Sequence, residues 1–212
     1  MITDRLKHEI EDMLSLKRRP IIEGWITQEK AEAIAELVID HKPQLLVEIG
    51  VFGGRSMFAQ AFALRENGMG VIWGIDPWSL DAVLEGDIGP ENTKWWTENV
   101  NLEEIYTGFV RGVLDFQLTK QIRWVRQRGD VAARIFGDKS LDVVHLDANH
   151  SEAASCREVE CWHKKLKPGG FLIADDTDWV SVAKSLKMIN SMGYKPVKQY
   201  ATFAIFQKNG TI

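Results

Sequence analysis

"QLLVEIGVFGGRS", residues 44–56, runs from a short apolar stretch through an acid, Glu48, into three glycines, Gly50, Gly53 and Gly54. A nearly continuous apolar run of this length suits a parallel strand covered on both faces, and the following "GGRSMFAQAFALREN" has the composition of a helix. Strand, glycine turn and helix together make the first unit of an α/β sheet. Glycines at such a turn let the backbone pass close to a ligand, and the N–H groups opening the helix suit a negatively charged one. The spacing is not G-x-G-x-x-G, which counts against a standard dinucleotide fingerprint.

Working outward, the same alternation continues. "GVIWGID" (70–76), "IRWVRQRGD" (122–130) and "LDVVHLD" (141–147) read as the next three strands. "SEAASCREVECWHKKL" (151–166) reads as a helix that "KPGG" closes before a fifth strand, "FLIAD" (171–175). A last helix over about residues 179–192 leads to "YKPVKQY" and "ATFAIFQK", two β-like runs close enough to be antiparallel. The expected fold is α/β: a doubly wound, mostly parallel, seven-stranded Rossmann-like sheet with an antiparallel C-terminal strand pair. Upstream, residues 4–19 read as a polar amphipathic helix and "TQEKAEAIAELVIDH" (27–41) as a second, capped by Thr27. These form a helical lead-in over residues 1–43 to a single domain spanning 1–212. Residues 77–121 are too long for a simple crossover and are expected as an insert and candidate lid. Within it, Trp95 and Trp96 read as packing residues ahead of stacking ones.

The chain has 212 residues, 45% of them hydrophobic, and a net charge of −4. That is enough apolar material for a core, and nothing in the charge calls for a nucleic-acid partner. The charged N-terminus lacks the apolar centre of a signal peptide, and no stretch is apolar for long enough to span a membrane. A soluble, cytoplasmic protein is expected, with a homo-oligomer suggested by the polar N-terminal helices. Cys156 and Cys161 match no zinc or redox spacing and read as reduced packing residues.

Asp76 ends the second strand, where a carboxylate can accept both hydroxyls of a ribose. With the glycine turn and the sheet order it points to nucleoside binding; the bland alternative for Glu48 and for Asp76 is a strand end or a helix cap. At this point the chain resembles the class I S-adenosylmethionine-dependent methyltransferases, over about residues 44–208. The resemblance rests on "VEIGVFGG", Asp76 and "LKPGGFLIADD". It implies that Glu48 and the Gly50, Gly53 and Gly54 backbone hold the methionine end of S-adenosylmethionine, that Asp76 holds its ribose, and that Gly129 and Asp130 lie near its adenine.

If the fourth and fifth strands are neighbours, Asp147 faces Asp175 and Asp176. Three carboxylates in one crevice repel unless a cation joins them, and an all-oxygen set suits Mg²⁺. This segment resembles the metal-dependent O-methyltransferases of the catechol type, and more closely those of the macrocin sugar type. That resemblance implies Mg²⁺ on Asp147, Asp175 and Asp176, with His150 as base. The implied reaction is attack of a substrate hydroxyl on the sulfonium methyl, on a small molecule with vicinal oxygens such as a sugar or catechol. His145, inside the fourth strand, reads as a hydrogen-bonded core histidine. The alternatives are a metal-free crevice with Asp176 and His150 as helix caps, a non-catalytic scaffold of the same fold, and a nicotinamide-dependent oxidoreductase.

Overall fold

The computed structural model of the protein describes residues 2–15 and 21–210. Helix α1 (Asp4–Leu14) and helix α2 (Gln28–His41) precede strand β1 (Leu45–Ile49) and helix α3 (Arg55–Asn67). Strand β2 (Val71–Ile75) is followed by helices α4 (Leu80–Val83), α5 (Pro90–Asn99) and α6 (Leu102–Asp115), then by strand β3 (Ile122–Val125) and the single turn α7 (Gly129–Ala132). Strand β4 (Leu141–Leu146), helix α8 (Glu152–Trp162), strand β5 (Leu166–Asp175), helix α9 (Ala183–Ser191) and strands β6 (Tyr194–Gln199) and β7 (Phe203–Lys208) complete the chain. The sheet order is β3-β2-β1-β4-β5-β7-β6. β7 runs antiparallel to both β5 and β6, and the other pairs are parallel. This is the expected seven-stranded Rossmann-like sheet.

The central strands are apolar on both faces because both are covered. On one side Leu46, Val143 and Ile173 pack into a layer with Ile34 of α2 and Phe58 and Phe62 of α3. On the other, Val47, Val144 and Leu172 meet Val159 and Trp162 of α8. Thr27 caps α2 by accepting the Lys30 N–H at 3.2 Å, as its position in the sequence predicts. No helix among the described residues is long and apolar enough to cross a membrane. Cys156 and Cys161 are both unpaired thiols.

Three expectations change. The first helix stops at Leu14, and residues 16–19 of the predicted span lie outside the described residues. The segment 77–121 is not all insert: α6 buries Phe109 and Val113 in the α2–α3 layer, with Phe109 stacked on Phe58 at 5.7 Å. It is the crossover helix into β3, so only the part up to about residue 100 is extra chain. "KPGG" does not precede β5 but belongs to it. The β4–β5 register shifts between the Leu141–Leu166 and Val143–Phe171 pairs, and Gly169, with φ of +78°, lies inside that irregularity.

Candidate active site

The glycine turn after β1 is packed from two sides. Gly50 has φ of +86°, and a Cβ there would lie 2.0 Å from the carbonyl oxygen of Asp147. Gly53 is pressed against the lead-in, where a Cβ would lie 2.1 Å from the Glu23 carbonyl oxygen. Arg55 fastens that contact by donating to the carbonyls of Ile22 at 2.6 Å and Gly24 at 2.7 Å. Gly54 opens α3 with φ of +92°. Only glycine meets both demands, a left-handed backbone and no side chain.

Asp76, at the end of β2, closes the turn. Its Oδ2 accepts the N–H groups of Val51 and Phe52, each at 2.9 Å, and its Oδ1 accepts that of Trp78 at 2.7 Å. Burial raises its pKa, and the three N–H groups work against that rise. With a single donor on Oδ1, that oxygen retains an acceptor position for a ligand hydroxyl.

Glu48, expected at the methionine end of a cofactor, points elsewhere. Strand alternation puts it with Leu46 on the α3 face, where it is 0% exposed. Its Oε1 accepts from Ser56 Oγ at 2.7 Å and its Oε2 from Gln60 Nε2 at 2.6 Å, with His145 Nδ1 3.1 Å from Oε2. It braces the sheet against α3 and does not line the crevice.

At the far end of the crevice, Gly129 begins α7, and a Cβ there would lie 2.7 Å from Ile49 Cγ2 and 2.8 Å from Glu158 Oε1. Asp130 lies 3.5 Å from Arg128 and 3.5 Å from Arg157. Glu158, which the sequence did not single out, has its pKa pushed up to about 8 by burial.

The carboxylates gather at the ends of β4 and β5. Leu146 pairs with Ala174, which sets Asp147 beside Asp175. A ring nitrogen of His145 and one oxygen each from Asp147 and Asp175 lie within 4.8 Å of one another. Asp176 falls outside this group: it adopts φ of +48° and its Oδ2 lies 2.9 Å from His150 Nε2. His150 also faces Asp147 Oδ1 at 3.8 Å. Burial would lower the His150 pKa, but its bond to Asp176 and the Asp147 charge outweigh that and raise it. Unforeseen in the sequence is Lys30. This α2 side chain is 7% exposed, pairs with Asp175, and lies 3.9 Å from Asp147 Oδ2.

Against this geometry, the family described as a methyltransferase domain matches residues 47–177, from β1 through the carboxylate pair. This chain belongs to that methyltransferase family. The match sets aside a nicotinamide-dependent oxidoreductase. Among solved structures, the O-methyltransferase NovP shares the fold at 16% identity, with a TM-score of 0.72, covering 97% of this chain and 98% of that one. The O-methyltransferase TomG from Streptomyces achromogenes, solved with S-adenosylmethionine, aligns at 14% identity and a TM-score of 0.64, over 99% of this chain and 92% of its own. An O-methyltransferase from Bacillus cereus in complex with S-adenosylhomocysteine aligns at 13% identity and 0.65, over 99% and 93%. No curated protein matches the sequence at a significant level.

In this methyltransferase the first part of the insert is tied across the carboxyl ends of the strands. Asn149 Nδ2 donates to the carbonyls of Ala82, Val83 and Glu85, and the Glu85 carboxylate pairs with Arg128 and Arg157. Trp95 and Trp96 do not enter the core. α5 buries none of its residues, and both indoles lie 5.9 Å from Trp25, which is 67% exposed and stacks on Phe52 of the glycine turn at 4.8 Å. The methyltransferase therefore carries an aromatic patch directly beside its turn.

Proposed function

We propose that the protein transfers a methyl group from S-adenosylmethionine to a hydroxyl oxygen of a small molecule, with a divalent cation held by the carboxylates of β4 and β5. One observation carries this reading: Gly50 packs on the Asp147 backbone while the Asp147 side chain lies beside Asp175. The turn suited to a nucleoside cofactor and the acids suited to a cation therefore share one boundary. A methyl donor and a hydroxyl oriented by a cation would meet there.

The glycine turn opening α3, with the acceptor position on Asp76 Oδ1, suits S-adenosylmethionine along the ends of β1 to β3. The cofactor supplies an electrophilic methyl on a sulfonium, so the chain must align the acceptor and remove a proton. His150 suits the second task. Asp176 orients its imidazole, and the neighbouring acids stabilise the protonated form it would reach. The oxygen donors of Asp147 and Asp175 fit a hard ion such as Mg²⁺, with Asp176 close by. An ion there favours acceptors with two adjacent oxygens, sugars or catechols, which it would bind and acidify. The exposed indoles of Trp25 and Trp95 offer such a ring an apolar face.

Titration calorimetry with S-adenosylhomocysteine, with Mg²⁺ and after chelation, tests this directly. Micromolar binding is expected, followed by Mg²⁺-stimulated methylation of catechol or sugar acceptors detected by mass spectrometry. Absence of binding by the folded protein in both conditions would refute the reading and favour a non-catalytic scaffold, in which Asp76 serves only its own turn.

A further inference from the structure

β1, β4 and β5 lie side by side, and on the face covered by α2 and α3 they carry a polar row through an otherwise apolar layer. Glu48 pairs in register with His145, and Asp147 with Asp175 stands two residues nearer the strand ends, on the same face. Glu48 and His145 have no exposed surface, and Asp175 is 7% exposed. A row of this kind inside a core is costly unless every member has a partner.

Every member has one, but one ring nitrogen of His145 does not. The Glu48 carboxylate can only accept, so the proton of the His145 ring belongs on Nδ1, 3.1 Å away. Nε2 then presents a lone pair, and it is buried without any hydrogen-bond partner. A ring nitrogen of His145 lies within 4.8 Å of an oxygen of each of Asp147 and Asp175, and with Nδ1 bonded to Glu48, Nε2 is the nitrogen free to serve an ion. Imidazoles that bind metals are commonly held in this manner, with the far N–H on a carboxylate and the near nitrogen on the ion.

The row also holds a cation already. Lys30 reaches in from α2, pairs with Asp175 and faces Asp147. That single ammonium faces the carboxyl groups of two residues, Asp147 and Asp175, that stand side by side.

We propose that His145 Nε2, Asp147 and Asp175 form the divalent-cation site of this protein, with Glu48 fixing the imidazole and Lys30 standing between the acids until the ion binds. The proposal rests on the carboxylate-bound cation of the preceding section and changes its chemistry. A nitrogen donor among oxygens favours Mn²⁺, Co²⁺ or Zn²⁺ over Mg²⁺. Asp176 is left to orient His150.

The test is pulsed electron paramagnetic resonance on the full chain, stripped with chelator and reloaded with Mn²⁺. The expected result is one bound Mn²⁺ with the ¹⁴N coupling of a directly attached imidazole. The coupling should persist in His150→Gln and vanish in His145→Gln, whose Mn²⁺ affinity should drop about tenfold or more while Mg²⁺ affinity changes little. Lys30→Met, which removes the competing ammonium, should bind Mn²⁺ more tightly than the unaltered protein. If His145→Gln fails to fold, persistence of the coupling in His150→Gln makes the assignment, and its loss there overturns it. Mn²⁺ bound without nitrogen coupling would overturn the role of His145 and leave the all-carboxylate site standing. No divalent ion bound by either the unaltered chain or Lys30→Met would overturn both.

Discussion

Replacing Gly50 with alanine tests the contact that joins the glycine turn to the carboxylates. The residue has φ of +86°, and holding an L-residue in the left-handed region costs roughly 1–2 kcal/mol. The added Cβ would lie 2.0 Å from the Asp147 oxygen, 2.5 Å from its carbonyl carbon and 2.7 Å from Ala148 Cα. All three are backbone atoms, so no flexible side chain can give way, and the ends of β1 and β4 must part instead. Overpacking of this kind costs about 1–3 kcal/mol, for a total of roughly 2–5 kcal/mol. At about 2–4 °C per kcal/mol for a chain of this size, calorimetry should record a melting temperature lower by roughly 4–20 °C. Gly68→Ala is the control: its φ is +69° but nothing lies within 4 Å of the new Cβ, so it should show the backbone cost alone. Affinity for S-adenosylhomocysteine should fall in Gly50→Ala and hold in Gly68→Ala. Should the two variants melt within about 2 °C of each other, the turn does not press on Asp147 and the shared boundary is wrong.

Asp76→Asn leaves one side-chain oxygen where two now serve three N–H groups, and turns an NH₂ toward a donor. A loss of about 1–3 kcal/mol is expected in denaturant unfolding, together with at least about tenfold weaker S-adenosylhomocysteine binding in calorimetry; unchanged values would show that Asp76 does not brace the turn. Glu158 is an acid whose folded pKa, about 8, lies above its unfolded value, so the folded state keeps the proton longer and stability falls as pH rises from about 4 through 8. Glu158→Gln should flatten that decline in melting temperature across the same range, and an unaltered slope would place the titration elsewhere.

Much of the sheet was legible because its central strands are covered on both faces and appear as bare apolar runs. The neighbouring ends of β4 and β5, and with them the pairing of Asp147 with Asp175, follow from that order. The place of Glu48 is also written in the strand: counting in twos from Leu46 puts it on the α3 face. The stripe Leu102, Ile105, Tyr106, Phe109 and Val113 has helical spacing and marks α6 as a core helix, a signal hidden by the length of the segment around it. Lys30 lies on the stripe of α2 that includes Ile34 and Leu37, but its partner is 145 residues away. No local pattern could supply that pairing. The orphaned nitrogen of His145 was equally out of reach, since it depends on which neighbour takes the other end of the ring.

The sheet order also bears on how the chain is made. β7, translated after every other strand, lies between β5 and β6, while β5 through Ala174 is complete some thirty residues earlier. Until residues 203–208 have left the ribosome, the backbone of Phe171 to Asp175 presents an open, apolar edge of the kind that captures strands from other chains. A stop codon ahead of Phe203 would therefore yield a sticky nascent product, one for chaperones and proteases to clear, while the residues of the glycine turn and the carboxylate pair had already been synthesised.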